Sequence, residues 1–328
     1  MKEILISIKS VCKEYKIKEK LDTTNIMRAV KAFIIPKYRR ISALTDISFD
    51  IYEGDIVGYI GQNGAGKSTT IKLLLGLIAP TSGTVKVFDK NPMINRMNQN
   101  KEIGVLSGTK SQLWWELPLI DSFKFIQRIY EVNSIENDQW LEYLIDKLEV
   151  RSFINQPVRQ LSLGQRMKGE FICTFLHHPK IVFLDEPTIG IDVITKQKIL
   201  EFLVDINSKD NTTIFFTTHD LDDIEKICNR MLLINKGKIE YDGEITSFLN
   251  NYDSIKKIIV YSKDLSKLAD SDYIKIISKN KEFFEIAYDS TKFNNKEICE
   301  YIYNFVEVES IRFSQLDLTS VLRLRSSS

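Results

Sequence analysis

The segment GQNGAGKS at residues 61–68 constrains the fold of this chain more than any other feature. It has glycine, glycine, lysine and serine at the fixed positions of the pattern G-x-x-x-x-G-K-S/T. A strand-like run precedes it at 55–60, and a helical pattern over 69–77 follows it. Glycines let backbone N–H groups curl around an anion at the start of a helix, where the helix dipole adds partial positive charge. The segment therefore predicts a phosphate-binding loop between a strand and a helix.

This loop supplies candidate ligands for a nucleoside triphosphate and Mg²⁺. Lys67 stands where the pattern places the lysine that reaches the β- and γ-phosphates, and Ser68 supplies the hydroxyl that ligates Mg²⁺. The neighbouring candidates for nucleotide binding are Gly61, Asn63, Gly64, Ala65, Gly66 and Thr69. The alternative, a chance glycine-rich turn, does not explain why the fixed positions and both flanking patterns agree.

Two acids, Asp185 and Glu186, follow the unbroken apolar run at 181–184. Ligands of α/β sheets bind at the carboxyl ends of the strands, so Asp185 is placed to bind Mg²⁺ directly or through water. Glu186 points to the other side of the strand end, where it can polarise, or accept a proton from, a water that attacks the γ-phosphate. The alternative is a polar loop after a buried strand.

Strand and helix patterns alternate along roughly the first 250 residues. Apolar runs at 180–184 and 212–217 are typical of strands covered on both faces, and each is followed by a helical pattern. Residues 119–150 are helical by periodicity. This alternation predicts an α/β fold with a mainly parallel core sheet.

The pattern changes after about residue 250, so we assign residues 1–250 and 251–328 to separate domains. The second has strand patterns at 255–262, 273–279, 282–288 and 305–313, with helix patterns at 263–270 and 294–304. This βαββαβ order predicts a small α+β domain of the ferredoxin-like kind, with a last helix at 315–324 packed on it. We expect an accessory or regulatory domain.

Composition argues against several classes of protein. The 328 residues carry 45 Lys+Arg and 44 Asp+Glu, a net charge of +1. This near-neutral charge argues against a protein that is basic throughout and coats nucleic acid. The four cysteines form no Cys-x-x-Cys pair or Cys/His cluster, so we expect no zinc. No secretory signal precedes them, and free thiols in a reducing cytosol are the expectation. No stretch approaches the roughly 18–20 apolar residues of a membrane span.

Positive charge is concentrated in the segment 16–40, which has eight Lys/Arg and two Asp/Glu. Residues 26–35 within it have the pattern of a short amphipathic helix. We expect a basic insertion that is either a solvated surface segment or a contact with anionic lipid headgroups or with a partner.

The motif LSLGQ at 161–165 resembles the LSGGQ signature of ABC-type ATPases. With the phosphate loop, the acid pair, Asp192 and His219, it completes in outline the motif order of that family. The chain is similar over about residues 1–245 to the ATP-binding subunits of ABC transporters. The resemblance implies a P-loop NTPase fold with antiparallel β and helical subdomains, the helical one at about 110–175. The stretches that resemble the subunits of ABC-2-type exporters, of the sodium, viologen or drug efflux kind, are 112–118, 161–167 and 185–193.

The resemblance also implies a site shared by two chains, in a homodimer or in a heterodimer with a paralogue. ATP on the 61–68 loop of one chain would be capped by the signature of the other. The Ser162 hydroxyl and the Gly164 N–H would contact the γ-phosphate, and Gln165 is a further binding residue of that motif.

Three other residues take roles from the same resemblance. His219 would hold the γ-phosphate and the attacking water, as the second catalytic residue beside Glu186. Asp192 would cross the interface and couple the two sites. Tyr15 matches the aromatic residue that stacks on adenine, with an ordinary surface tyrosine as the alternative.

The sequence departs from the family pattern at two positions. Leu163 replaces a common glycine of the signature, which leaves the backbone N–H in place. Thr109 stands where the family has a Mg²⁺-binding glutamine, and Gln112 follows three residues later. Either Gln112 takes that role after a local shift, or Thr109 ligates the metal weakly. Trp114 and Trp115 are either contacts for a membrane partner or buried in the helical subdomain.

We therefore expect a Mg²⁺-dependent ATPase that powers export through a separate ABC-2-type membrane permease, bound peripherally on the cytoplasmic side of the membrane. A soluble ABC ATPase unrelated to transport is one alternative, but the chain has one set of motifs and no heptad run. A regulatory subunit with weak turnover is the other, and Thr109 keeps it open.

Overall fold

The computed structural model describes residues 2–18, 38–108, 110–132, 134–218, 220–262, 268–280 and 282–326. The chain divides into two compact units, Met1–Asp242 and Gly243–Ser328. The sequence-based assignments that lie outside the described residues are most of the basic segment 16–40 with its predicted helix at 26–35, Thr109, His219, and residues 263–267 of another predicted helix. The domain boundary between residues 250 and 251 stays a prediction.

The strands are β1 (Ile4–Lys18), β2 (Tyr38–Tyr52), β3 (Ile56–Ile60), β4 (Ser82–Val87), β5 (Ile103–Ser107), β6 (Ile181–Asp185), β7 (Thr213–Thr217), β8 (Arg230–Asn235), β9 (Lys238–Glu244), β10 (Ile255–Ser262), β11 (Lys275–Lys279), β12 (Phe283–Asp289) and β13 (Val308–Ser314). The α-helices are α1 (Lys67–Leu74), α2 (Arg96–Gln99), α3 (Leu119–Ile129), α4 (Ile135–Lys147), α5 (Leu163–Phe175), α6 (Val193–Asp210), α7 (Leu221–Ile227), α8 (Ile245–Asn250), α9 (Asn295–Tyr303) and α10 (Leu318–Ser326). No helix within the described ranges has the length and apolar character needed to cross a bilayer.

A six-stranded sheet in the first unit positions the candidate site. Its strand order is β5-β6-β7-β3-β8-β9, and the pairs from β5 to β8 are parallel. All residues of β7 are buried, and so is β6 up to Leu184, as the apolar run within each strand predicts. Because these strands are parallel, the carboxyl ends of β6, β7 and β3 meet at one edge of the sheet. That edge brings together residues 61–68, the acid pair after Leu184 and the chain after Thr217.

An antiparallel sheet in the order β2-β1-β4 packs on the central sheet. The two sheets share one apolar core, in which Ile8 and Leu44 lie with Phe183 and Phe215. The expected combination of a mainly parallel core sheet with antiparallel β structure is therefore confirmed.

The helical periodicity of 119–150 spans two helices, α3 and α4. Glu131 follows α3 in the left-handed backbone region, with φ +58°, which ends a helix. Ser134 caps α4, and its side chain accepts the N–H of Asn137 at 3.2 Å. Apolar periodicity does not reveal this break, because the caps depend on single polar residues.

The second unit contains an antiparallel sheet in the order β11-β12-β10-β13. With α9 between β12 and β13, this arrangement is consistent with the predicted ferredoxin-like order. Residues 268–270, the described end of the helix predicted at 263–270, have no regular structure.

The two faces of this second sheet differ in character. One face carries an apolar core, in which Ile258 and Val260 of β10 lie with Ile298 of α9. Lys257 points to the other face, since alternate residues of a strand do so, and its ammonium donates to Asp317 Oδ2 at 2.8 Å. Asp317 directly precedes α10, so this bond ties α10 to the sheet.

Candidate nucleotide-binding site

The phosphate loop connects β3 to α1 and depends on glycine at two positions for space. At Gly61 a Cβ atom would lie 2.4 Å from the Ile234 carbonyl oxygen. At Gly66, the N-cap of α1 with φ +117°, it would lie 2.7 Å from Leu44 Cδ2. Gly64 has open space around it, but its φ of +82° is one that side chains disfavour. The loop can therefore turn its backbone N–H groups toward a bound phosphate, the geometry that the sequence motif predicts.

Lys67 is folded back against the loop. Its ammonium donates to the carbonyl oxygen of Gly61 and, at 3.4 Å, to that of Gln62. Burial lowers the pKa of Lys67, and the negative charges of Glu186 and Asp185 oppose this change. The ammonium thus lies in the field of both carboxylates, at the place where a triphosphate would add its own negative charge.

The acid pair is held by the end of the neighbouring strand. Thr217, the last residue of β7, donates its hydroxyl to Asp185 Oδ1 at 2.8 Å. The N–H of Glu186 donates to the carbonyl oxygen of Thr217 at 3.0 Å. Glu186 adopts φ +54°, in the left-handed region that costs a non-glycine residue roughly 1–2 kcal/mol. The bond to Thr217 fixes this strained turn, and no local sequence pattern marks Thr217 as part of the site.

The described residues on either side of position 219 are well held. Asp220 caps α7, and its side chain accepts the N–H of Asp222 at 3.2 Å. The N–H of Asp220 donates to the Thr218 hydroxyl at 3.0 Å. The role of His219 stays a prediction, because that residue lies outside the described part of the chain.

The signature motif forms the first turn of α5. Ser162 is its N-cap: the hydroxyl accepts the Gln165 N–H at 3.2 Å, and Gln165 Oε1 accepts the Ser162 N–H at 2.9 Å. This reciprocal capping box fixes the backbone of the turn. Leu163 is exposed and fits beside Gly190, so the departure from glycine at this position is accommodated.

Asp192 caps α6 next to the signature turn. Its Oδ1 accepts the Thr195 N–H at 2.9 Å, and these bonds to Thr195 lower the pKa of Asp192. A Cβ atom on Gly164 would lie 3.5 Å from Asp192 Oδ2 and 3.2 Å from the Thr195 side chain. The signature and the turn at Asp192 therefore form one continuous surface within a single chain.

Gln112 connects β5 to α5. Its side-chain amide donates to the Val105 carbonyl oxygen at 3.0 Å and to the Thr174 hydroxyl at 3.1 Å. Its backbone N–H donates to Glu170, a buried residue whose pKa is raised by burial. Gln112 therefore has a structural role, and its role as a metal ligand stays a prediction.

Tyr15 lies on β1, half-buried, with the Lys13 ammonium 5.3 Å from the centre of its ring. This cation–π contact orients the ring. Its stacking on adenine stays a prediction.

Both tryptophans of the 112–118 stretch are exposed: Trp114 keeps 48% and Trp115 51% of its accessible surface. The alternative that they are buried in the helical subdomain is therefore wrong. Trp114 packs edge-on against Phe125, with ring centres 4.9 Å apart, in a groove of about 360 Å³. The Arg166 guanidinium lies 5.2 Å from the Trp115 ring centre.

These residues fit a nucleotide and its metal. The glycine-dependent turn and Lys67 are suited to bind phosphate oxygens, and Ser68 and Asp185 are the hard oxygen donors that Mg²⁺ prefers. Bound there, Mg²⁺ would neutralise charge on the terminal phosphates. Lys67 would orient those phosphates, and the turn fixed by Thr217 sets the position of the Glu186 carboxylate.

The chain matches the family model described as ABC transporter over residues 44–189. It is 32% identical over 229 residues to an uncharacterised ABC transporter ATP-binding protein of Methanocaldococcus jannaschii, covering 67% of this chain and 82% of that protein. It is 32% identical over 253 residues to the methionine import ATP-binding protein MetN 2 of Oceanobacillus iheyensis, covering 75% and 73% of the two chains.

The fold is also similar to a solved structure, the dimeric post-hydrolysis state of the ATP-binding cassette MJ0796 bound to ADP and phosphate. The TM-score is 0.59 at 22% identity, over 73% of this chain and 98% of that one. The chain therefore belongs to the ATP-binding subunits of ABC transporters, P-loop ATPases that bind ATP with Mg²⁺ and hydrolyse it.

Proposed function

We propose that this chain powers export through an ABC-2-type membrane permease, on the cytoplasmic side of the membrane, by closing onto a second ATPase chain when ATP binds. The observation that carries the proposal is the exposed signature turn. Ser162 and Leu163 lie exposed at the amino end of α5, where the free N–H groups and the helix dipole attract an anion. This turn is available to a phosphate held by another chain.

The surface around the signature supports closure of two chains. Val193 and Ile194 keep 77% and 71% of their accessible surface, directly after Asp192. Large exposed apolar residues next to a charged turn mark a protein interface, and a second copy, or a paralogue, would cover them. Asp192 then lies where it can couple the two sites.

Within each site, Glu186 is proposed as the residue that polarises the attacking water, with His219 holding the γ-phosphate. Asp185 and Ser68, with Gln112, are the proposed metal ligands, and Tyr15 stacks on adenine. The regulatory subunit with weak turnover is disfavoured because Lys67, Asp185 and Glu186 are placed together.

The membrane partner is assigned to the groove at Trp114 and Phe125. Lys124 and Arg128 add positive charge to its rim, beside Asp121. The exporter assignment depends on the stretch 112–118 and the two others that resemble exporter subunits. Import is the second candidate, because a relative of 32% identity is named as a methionine import protein.

The central experiment compares wild type, Glu186→Gln and Lys67→Ala in ATP turnover and in mass by light scattering. We expect Glu186→Gln to lose turnover by at least about 100-fold and to double in mass with Mg²⁺-ATP, because it keeps the nucleotide between two chains. Lys67→Ala is the control that should remain monomeric.

Equal turnover in Glu186→Gln and wild type would refute the catalytic role of Glu186. If Glu186→Gln stays monomeric with ATP, the homodimer is wrong. Doubling only with a co-expressed paralogue would then establish the heterodimer.

The groove is tested by co-purification with the membrane protein encoded beside this gene. Trp114→Ala with Phe125→Ala should weaken co-purification and leave basal ATP turnover intact, since no residue of the 61–68 loop lines the groove. Leu77→Ala, which removes another exposed apolar side chain of the first unit, is the matched control. Retention of the complex by the double variant would refute this docking surface, and transport into or out of vesicles carrying the complex gives the direction.

A further inference from the structure

A fully buried carboxylate, Asp223, connects three elements of the first unit. Its Oδ2 accepts the hydroxyl of Thr188 at 2.9 Å, and its Oδ1 lies 2.7 Å from the ammonium of Lys196. The same ammonium also donates to Asp220. Lys196 is in the first turn of α6, while Asp220 and Asp223 are at the start of α7. One ammonium therefore joins the beginnings of two helices.

Each end of this network is adjacent to a segment of the ATPase site. Thr188 comes two residues after Glu186, in the turn that leaves β6. Asp220 directly follows position 219. Lys196 donates its backbone N–H to the carbonyl oxygen of Asp192 at 2.9 Å. The network therefore holds both segments that follow β6 and β7, although none of its side chains was among the predicted site residues.

The network is strong enough to hold these segments in place. Lys196 keeps only 18% of its side-chain surface exposed, and burial alone would lower its pKa, but the bonds to Asp220 and Asp223 raise the pKa above its ordinary value. The lysine is therefore charged at neutral pH. Because Asp223 is buried, its removal or that of its partner leaves an uncompensated charge, unlike the loss of a surface ion pair.

We propose that Lys196 is a positioning residue for ATP hydrolysis. By joining Asp220 to Asp223, it fixes the start of α7, and through Thr188 it fixes the turn that carries Glu186. Small errors in the placement of such groups reduce turnover strongly, whereas nucleotide binding at residues 61–68 is unaffected. This inference rests on the proposed catalytic role of Glu186.

The test is Lys196→Met, which keeps the length of the side chain and removes the charge. We expect kcat to fall about 10- to 100-fold, with KM for ATP within about twofold of wild type. Lys196→Arg should recover most of the rate, because it can still bridge two carboxylates. Lys198→Met is the matched control: Lys198 is on the same helix, and its ion pair with Glu149 is exposed, so kcat should be unchanged.

A double variant separates positioning from folding. Lys196→Met with Asp223→Asn removes the unpaired buried charge, so we expect thermal stability to recover while kcat stays low. Full recovery of kcat in this double variant, or wild-type kcat in a folded Lys196→Met protein, would overturn the proposal. Wild-type turnover in Glu186→Gln would instead refute the role of Glu186, so the two failures are distinguishable.

Discussion

Thr217 Oγ1 lies 2.8 Å from Asp185 Oδ1, in a hydrogen bond between the last residues of two neighbouring parallel strands. The same threonine accepts the N–H of Glu186 with its carbonyl oxygen at 3.0 Å and with its hydroxyl at 3.2 Å. One residue of β7 thus orients the proposed metal ligand and fixes the strained backbone of the proposed base. The order of strands in the sheet, with β7 beside β6, is what makes this possible.

Thr217→Val should impair metal binding and turnover together. The substitution keeps the shape of this buried side chain and removes the hydroxyl, and a hydrogen bond to a charged group contributes about 1.5–3 kcal/mol. We expect kcat to fall about tenfold and the half-saturating Mg²⁺ concentration to rise, as measured by ATP turnover against Mg²⁺. Thr217→Ser keeps the hydroxyl and should behave like wild type. An unchanged Mg²⁺ dependence in Thr217→Val would show that this bond does not orient Asp185.

Alanine should be tolerated better at Gly64 than at Gly66. Both positions have positive φ, which costs about 1–2 kcal/mol for alanine, but only Gly66 would also place its Cβ 2.9 Å from the Ala43 carbonyl oxygen. We expect Gly66→Ala to lose about 1–3 kcal/mol more in free energy of unfolding than Gly64→Ala, and to bind ATP more weakly. Urea unfolding and binding of a fluorescent ATP analogue provide the measurements. Equal losses would mean that the loop relaxes away from the contact.

The strands and loop that form the site could be predicted because their signals are local. A strand buried on both faces carries a continuous apolar run, as β6 does at 181–184 and β7 at 214–216, and the phosphate loop needs its glycines and lysine within eight residues. The partners of the site residues could not be predicted. Thr217 is 32 residues from Asp185 and Asp223 is 35 from Thr188, so these bonds depend on which strands and helices are neighbours.

Sequence spacing leaves two roles open at Gln112, because the direction in which its amide turns depends on packing. In the fold, its amide nitrogen donates to Val105 and Thr174, and its role as a metal ligand stays a prediction.

Lys257→Met should strongly destabilise the second unit. The Lys257 ammonium lies 3.1 Å from Glu285 Oε1 and 2.8 Å from Asp317 Oδ2 and is buried between β10 and α10. Removing one partner of a buried ion pair costs about 3–5 kcal/mol. Glu285 keeps its pair with Arg323 at 3.3 Å, so we expect a loss at the lower end of this range. Lys256→Met, at the exposed neighbouring position, should cost less than about 0.5 kcal/mol. Urea unfolding of both variants tests this, and similar losses would show that the buried pairs contribute no more than a surface lysine.

His177 should make the first unit less stable as the pH falls. Its Nε2 lies 3.1 Å from the Ile103 carbonyl oxygen, which can only accept, so Nε2 carries the proton of the neutral ring. Protonation would have to occur at Nδ1, which is buried and has no hydrogen-bond partner among the described residues. Burial accordingly lowers the pKa of His177 to about 4. As the pH falls, the unfolded chain, with a histidine pKa near 6.5, binds the proton first. The free energy of unfolding is therefore unaffected by His177 above about pH 6.5 and decreases from there toward pH 4.

His177→Phe tests this pH dependence. Phenylalanine keeps the stacking on Tyr130, whose ring centre is 3.8 Å from that of His177, and it cannot titrate. Between pH 7 and pH 5 the wild type should lose about 2 kcal/mol more free energy of unfolding than His177→Phe, measured by urea unfolding at each pH. Carboxylates titrate alike in both proteins, so the difference between their losses in free energy of unfolding reports the titration of His177. Parallel losses in the two proteins would mean that His177 takes up its proton in the folded state, which would require Nδ1 to reach a partner or water.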